Sequence, residues 1–170
     1  MAEFKNMVLG FIGAGNMNGA ILSGVLKQGI VMPDKVWLSN RHQEKLLPFA
    51  ARGVHTTMDN TQVAIQADLI VVGVKPQMFP DVLPELAAHT VGKCVVSIAA
   101  GISTDTLRKA LPGAMVVRAM PNIPLTVGVG ATAVARSAEV PDTLFQSVQE
   151  LFSAAGAVAG IKEDQMDDII

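Results

Sequence analysis

Little in this sequence serves the usual side-chain chemistries. Its 170 residues contain one cysteine, Cys94, which excludes an internal disulfide framework and fits a reducing compartment. Cys94 lies inside an apolar run and reads as a small core residue, not a nucleophile. The three histidines, His42, His55 and His89, are scattered among surface-like segments and read as solvated. No spacing of His, Cys, Asp or Glu suits a metal, and the acidic pairs Glu163-Asp164 and Asp167-Asp168 read as a solvated helix face. The N-terminal MAEFKN lacks the layout of a signal peptide, and no apolar run approaches the roughly 18 residues of a membrane span. A net charge of −2 and a pI near 5.9 argue against nucleic acid or an anionic membrane as partner.

Apolar side chains are what the chain has. Hydrophobic residues make up 50 %, aromatics only 4 % and charged residues 16 %. That balance predicts one domain with a core of Val, Ile, Leu, Ala and Met, as in parallel sheets covered by helices. The clearest stretch is Met7 to Gly24. An apolar strand, Met7 to Ile12, runs into Gly13-Ala14-Gly15 and then into a helix beginning near Asn16. Strand, glycine turn and helix suit the first βα unit of a dinucleotide-binding sheet. Gly13 allows the tight turn, Gly15 leaves room for a pyrophosphate, and the helix aims free N–H groups at it. The third glycine of the G-x-G-x-x-G pattern falls on Asn18, with Gly19 one place later.

Strand and helix signals alternate from there. Strands are predicted at 35–39, 54–56, 69–74, 94–98, 115–120, 130–135 and 157–161. Helices are predicted at 43–52, 60–66, 79–88, 104–111 and from Pro141 to 155, with a rigid loop bracketed by Pro121 and Pro124. The alternation implies an α/β fold: a doubly wound, mostly parallel Rossmann-type sheet with helices on both faces. The closing KEDQMDDII starts a capped, acidic helix and stops without a C-terminal signal.

Ligands of such sheets bind at the carboxyl ends of the strands. The second strand ends in Ser39-Asn40-Arg41, with no carboxylate until Glu44, and Asp34 precedes the strand at the wrong end. A cation with hydroxyl and amide neighbours suits the 2′-phosphate of NADP better than the 2′-hydroxyl of NAD. Val74-Lys75-Pro76, Ile98-Ala99-Ala100-Gly101 and Met120-Pro121-Asn122 fall on the same edge, where small residues would let a flat ring lie against backbone. Turn-making alone would explain each of these taken singly. The shortage of acid–base groups fits hydride transfer, in which the cofactor supplies the reactive atom.

Four motifs together resemble pyrroline-5-carboxylate reductase: Gly10-Phe11-Ile12-Gly13-Ala14-Gly15-Asn16-Met17, Val74-Lys75-Pro76, Val96-Ser97-Ile98-Ala99-Ala100-Gly101 and Arg118-Ala119-Met120-Pro121-Asn122-Ile123-Pro124. They occur in order and span nearly the whole chain. The bulk properties suit a cytoplasmic protein, and the resemblance implies an oxidoreductase that reduces 1-pyrroline-5-carboxylate to L-proline, the last step of proline biosynthesis, with NADPH (NADH possible) as hydride donor. It implies that Ile12, Gly13, Ala14, Gly15, Asn16 and Met17 hold the pyrophosphate, with Ser39 and Arg41 by the adenosine ribose. Asn60, Val74, Lys75, Pro76, Ile98, Ala99 and Ala100 match further cofactor contacts. The Met120-Pro121-Asn122 loop would face nicotinamide and imine.

By the same resemblance, residues 1–162 are the dinucleotide-binding domain. Residues 163–170 then begin a helix leading to an absent C-terminal helical domain, through which the family dimerises and builds much of its substrate pocket. No catalytic acid is expected in this chain, which would be inactive alone. Two other readings stand beside this one. One is the cofactor domain of another NADP-linked reductase, such as a deazaflavin-dependent oxidoreductase or a β-hydroxyacid dehydrogenase; the other is a non-catalytic nucleotide-sensing module.

Overall fold

A computed structural model describes residues 6–122 and 130–169. Strands β1 Leu9–Ile12, β2 Val36–Ser39, β3 His55–Thr57, β4 Leu69–Val72, β5 Cys94–Ser97, β6 Met115–Asn122, β7 Gly130–Arg136 and β8 Gly156–Gly160 form one sheet. Between them run helices α1 Asn16–Lys27, α2 Leu47–Ala50, α3 Asn60–Gln66, α4 Phe79–Ala87, α5 Thr104–Ala110 and α6 Asp142–Ser153. The sheet order is β3-β2-β1-β4-β5-β6-β7-β8. All pairs are parallel except β6 with β7. The order reverses between β1 and β4, which makes the crevice beyond their carboxyl ends the natural place for a ligand.

Alternate strand residues feed two cores. Leu9 and Phe11 of β1, Leu69 and Val71 of β4 and Val96 of β5 meet Ile21, Leu22 and Val25 of α1 and Leu151 and Phe152 of α6 on one face. Ile70 and Val72 of β4 and Val95 of β5 meet Val63 of α3, Val82 and Leu86 of α4 and Leu107 of α5 on the other. Successive side chains of a strand point to opposite faces, so strands apolar at every position become sheet buried on both sides. Cys94 belongs to the first core and is 1 % exposed, which pushes its thiol up to about 12.

The structure departs from sequence expectation at a few boundaries. The single helix expected over 43–52 is instead a 3₁₀ turn, Gln43–Lys45, followed by the one-turn α2. Pro48 is the reason: lacking an N–H and crowding the carbonyl four residues back, it starts a helix but cannot sit within one. The strand expected to end at Met120 continues to Asn122, because β7 runs antiparallel beside it and pairs Pro121 with Thr132. The acidic C-terminal helix is a 3₁₀ segment, Glu163–Ile169. His55 is not merely solvated; its ring stacks on Trp37 at 4.8 Å and its Nε2 lies 3.0 Å from the Asp34 carbonyl. The loop expected after Pro121 falls on residues 123–129, outside the described residues.

Candidate functional site

At the crevice between β1 and β4 the chain turns sharply. Gly13 has φ +97°, a left-handed conformation that suits glycine, and a Cβ there would stand 3.1 Å from the Gly73 carbonyl oxygen. The Gly13 N–H donates to the Ser39 carbonyl at 2.9 Å, and the Ala14 N–H to Asn40 Oδ1 at 3.0 Å. The turn is thus tied to the end of β2 by two bonds. Helix α1 then starts at Asn16 with Gly15 as its cap and no side chain capping it. Its first N–H groups have no intrahelical acceptors, and the dipole places partial positive charge there. Around Gly15 a Cβ would meet nothing within 4 Å, so the protein leaves this spot open. An uncapped helix start beside open space accepts an anionic group, which is the fit a dinucleotide pyrophosphate needs.

Two cavities meet at this turn and share Gly15, Gly73, Val74 and Lys75 in their walls. The first, about 390 Å³, lies toward β2 and is walled by Asn40, Arg41, His42, Lys45, Met58 and Asn60. Three of these are basic side chains, Lys75 adds a fourth, and no carboxylate lines the cavity, although the chain as a whole carries −2. Asn60 is held from both sides: its Oδ1 accepts from the Ser39 hydroxyl at 2.8 Å and its Nδ2 donates to Glu85 at 3.2 Å. Asp59 caps the helix that carries it, accepting from the Thr61 hydroxyl and N–H, and these bonds hold its carboxyl below the usual range.

The second cavity, about 450 Å³, lies toward β5 and β6. Met17, Pro76, Ile98, Ala99, Ala100 and Met120 supply its mostly apolar wall, and Lys75 is the one ionisable side chain among the described residues lining it. Small residues keep the β5 end low. The buried Ser97 hydroxyl accepts from the Ala99 N–H at 3.2 Å and sets that turn. Pro76 opens a 3₁₀ turn after β4, so the chain leaves the sheet there and the cleft stays open.

Most residues singled out from sequence converge on this cleft, but several do so through backbone. Ile12 and Ala14 are buried, and Ser39 is fully buried with its hydroxyl spent on Asn60, so their side chains face inward. Asn40 is engaged at both ends, by the Ala14 N–H and by donation to the His42 carbonyl at 3.1 Å, and acts as a strut between the glycine turn and the β2 loop. Gly13, Gly15, Arg41, Asn60 and Lys75 line the first cavity; Asn16, Met17, Val74, Pro76, Ile98, Ala99, Ala100, Met120 and Pro121 line the second. Asn122 is placed only as the last residue of β6, paired with Ala131.

Sequence reasoning missed His42, Lys45 and Met58 in the wall, and missed the role of Asn18. Asn18 is 1 % exposed and donates from Nδ2 to the carbonyls of Ile12 at 3.1 Å and Gly13 at 2.9 Å. The available signal was position: Lys45 lies one 3₁₀ turn beyond Arg41 and His42, and Asn18 stands where a small residue was expected. Among the described residues no group of three or more His, Cys, Asp or Glu is gathered for a metal, and no helix is long and apolar enough to cross a membrane.

Comparison with known proteins agrees with this geometry. A pyrroline-5-carboxylate reductase of Methanosarcina acetivorans is 36 % identical over 97 % of this chain and 62 % of its own length. The solved structure of a pyrroline-5-carboxylate reductase from Coxiella burnetii superposes with a TM-score of 0.92 at 35 % identity, over 97 % of this chain and 63 % of that one. That of Plasmodium falciparum pyrroline carboxylate reductase, with NADP bound, gives 0.86 at 26 % identity, over 96 % and 61 %. The chain therefore spans about three fifths of the length of these relatives. The family described as NADP oxidoreductase, coenzyme F420-dependent, matches residues 8–101, more than half of the chain. A Rossmann-type sheet, an open helix start at its switch point and this match agree, and the chain belongs to that NADP oxidoreductase family.

Proposed function

We propose that this chain is the cofactor-binding part of an enzyme that reduces 1-pyrroline-5-carboxylate to L-proline with NADPH. The observation that carries the reading is the cleft itself, a basic cavity joined to an apolar one at an uncapped helix start, in a chain 36 % identical to a pyrroline-5-carboxylate reductase over 97 % of its length. NADPH, when bound, supplies a hydride from its dihydronicotinamide ring.

The chain's own residues bind and orient. The first turn of α1 receives the pyrophosphate, and Arg41 with Lys45 takes the 2′-phosphate, charge against charge. Asn60, braced by Ser39 and Glu85, stands by the adenosine ribose. Ile98, Ala99 and Ala100 form an apolar wall for the nicotinamide, with Met120 and Pro121 of the neighbouring strand beside them, and together they exclude water from the ring. Acceleration in the whole enzyme comes from closeness and orientation of ring and imine. No residue of this chain is assigned the protonation of the imine nitrogen.

Residues 1–162 form the dinucleotide-binding unit and 163–170 lead toward the portion that the relatives have beyond this match. That portion supplies the rest of the substrate pocket and the homo-oligomer contacts, and the protein works in the cytoplasm. A second reading, an F420-linked NADP oxidoreductase, is favoured by the family description matched over residues 8–101.

The decisive test joins this chain to the C-terminal portion of the Methanosarcina acetivorans relative and follows NADPH absorbance. Oxidation that requires 1-pyrroline-5-carboxylate supports the first reading. Oxidation that requires oxidised coenzyme F420 instead replaces it with the second.

A further inference from the structure

The apolar cavity has one wall on the loop after β5 and another at the end of β6, and one carboxylate behind them joins both. Glu163, in the 3₁₀ segment after β8, accepts at Oε1 from Arg118 Nη1 at 3.0 Å and from the Thr104 N–H at 3.1 Å. Arg118 is 2 % exposed on β6, two residues before Met120, and stands in register with Ser97, whose hydroxyl sets the Ala99 turn. Thr104 opens α5 three residues after the Ala99-Ala100-Gly101 loop, behind its cap Ser103. Three residues beyond Glu163, the fully buried Met166 packs with Ala133 and Ala135, and Met120 packs against this cluster. The segment is itself anchored to the sheet by the Ile161 N–H on the Val134 carbonyl at 2.8 Å.

A guanidinium stays charged at any working pH, so one buried this deeply needs an opposite charge near it. Glu163 provides that charge with one oxygen and shares the same oxygen with the helix start. The position of β6 and the position of the loop after β5 thereby become one geometric quantity.

We propose that Glu163 is a positioning residue for the nicotinamide end of the cleft, holding the Ile98–Ala100 and Met120–Pro121 walls at one spacing, with Met166 supporting the second wall. This rests on the cofactor reading above. The adenosine end, built from β1, β2 and α3, has no contact with this segment among the bonds described.

The test compares two probes on the 170-residue chain: NADPH, followed by its nicotinamide fluorescence, and 2′,5′-ADP, which reaches only the adenosine end. Glu163→Ala weakens NADPH about tenfold and lowers the fluorescence enhancement of the bound ring, while 2′,5′-ADP stays within about twofold. Glu163→Gln keeps a carbonyl acceptor for the Thr104 N–H but gives Arg118 no charge, and recovers only part of the loss. Met166→Ala gives a smaller loss of the same selectivity and carries the test if Glu163→Ala fails to fold. Equal weakening of both probes, or no change in either, overturns the positioning role while leaving the cofactor reading standing. If the unmodified chain binds neither probe, the cofactor reading fails and this inference with it.

Discussion

The side chain of Asn18 occupies the place where a Cβ of Gly73 would stand, since such an atom would lie 2.4 Å from Asn18 Nδ2. The amide crosses from α1 over the end of β1 to β4, and it satisfies the carbonyls of Ile12 and Gly13 on the way. Gly73 in turn donates its N–H to Ile12 at 2.8 Å. Two neighbouring strands and the helix above them are pinned at the point where the glycine turn begins.

Replacing either partner is therefore costly. Gly73→Ala forces the amide aside and should destabilise the fold by about 1–3 kcal/mol. Asn18→Ala takes the amide donor from the Gly13 carbonyl, while the Ile12 carbonyl keeps the Gly73 N–H, at a cost of about 1–3 kcal/mol. The double variant, with room for the new methyl, should lose less than the sum of the two. Urea denaturation of the four proteins measures this, and strict additivity would show that the two sites do not interact.

Arg41 bears on cofactor choice. Arg41→Ala should weaken NADPH by about 1.5–3 kcal/mol, the range of a hydrogen bond to a charged group, and leave NADH nearly unchanged. Lys45→Ala should act in the same direction, and less strongly, because a single ammonium lacks the planar fork of a guanidinium. Parallel fluorescence titrations with the two nucleotides decide it. Equal weakening of both would remove Arg41 from the phosphate.

Cys94 should ignore thiol reagents in the native protein. Burial pushes its thiol from 9.0 to about 12, so the thiolate is scarce at neutral pH. The raised value also has a consequence for stability. The unfolded chain releases this proton first, so stability from this group is intact below about pH 9 and declines as pH rises toward 12. The slope is at most about 1.4 kcal/mol per pH unit. Cys94→Ala should flatten that alkaline decline. Rapid labelling of the folded protein near pH 8 would contradict the buried placement.

Asp59 should make α3 sensitive to acid. Its carboxyl is held low by the Thr61 hydroxyl and N–H, so the capping contribution is present above the ordinary carboxylate range and is lost as pH falls through the lowered value. Amide exchange in 60–66 should accelerate at low pH in the unmodified chain. In Asp59→Ala it should be fast throughout, and Asp59→Asn should remove the pH dependence while keeping a cap.

Much of the sheet was legible in local pattern. Runs such as Leu69-Ile70-Val71-Val72 and Cys94-Val95-Val96 are apolar at every position, which only a strand buried on both faces explains. The Asn60–Gln66 helix begins at a side-chain cap that sequence displays openly. Boundaries that depend on a neighbour were not legible. Nothing local says that β6 runs through Pro121, since its partner β7 follows a separate segment. Ser39 and Asn40 read as exposed ligands at a strand end; whether a short polar side chain faces a cleft or a neighbouring backbone depends on what packs beside it.

Sequence by itself determined the alternation of strand and helix, the glycine turn after β1 and the cation after β2, because these follow from side-chain period, from glycine's freedom at positive φ and from charge. Tertiary structure decided which groups meet. Asn18 turns from a misplaced letter of a motif into a bolt only when β4 arrives beside β1. His42 and Lys45 after β2 and Met58 after β3 become cleft wall only when the sheet brings these segments beside the glycine turn. Arg118 and Glu163, 45 residues apart, become one ion pair only when β7 and β8 bring the chain back along β6. Contacts between distant residues leave no periodic trace along the chain, so only the assembled sheet reveals them.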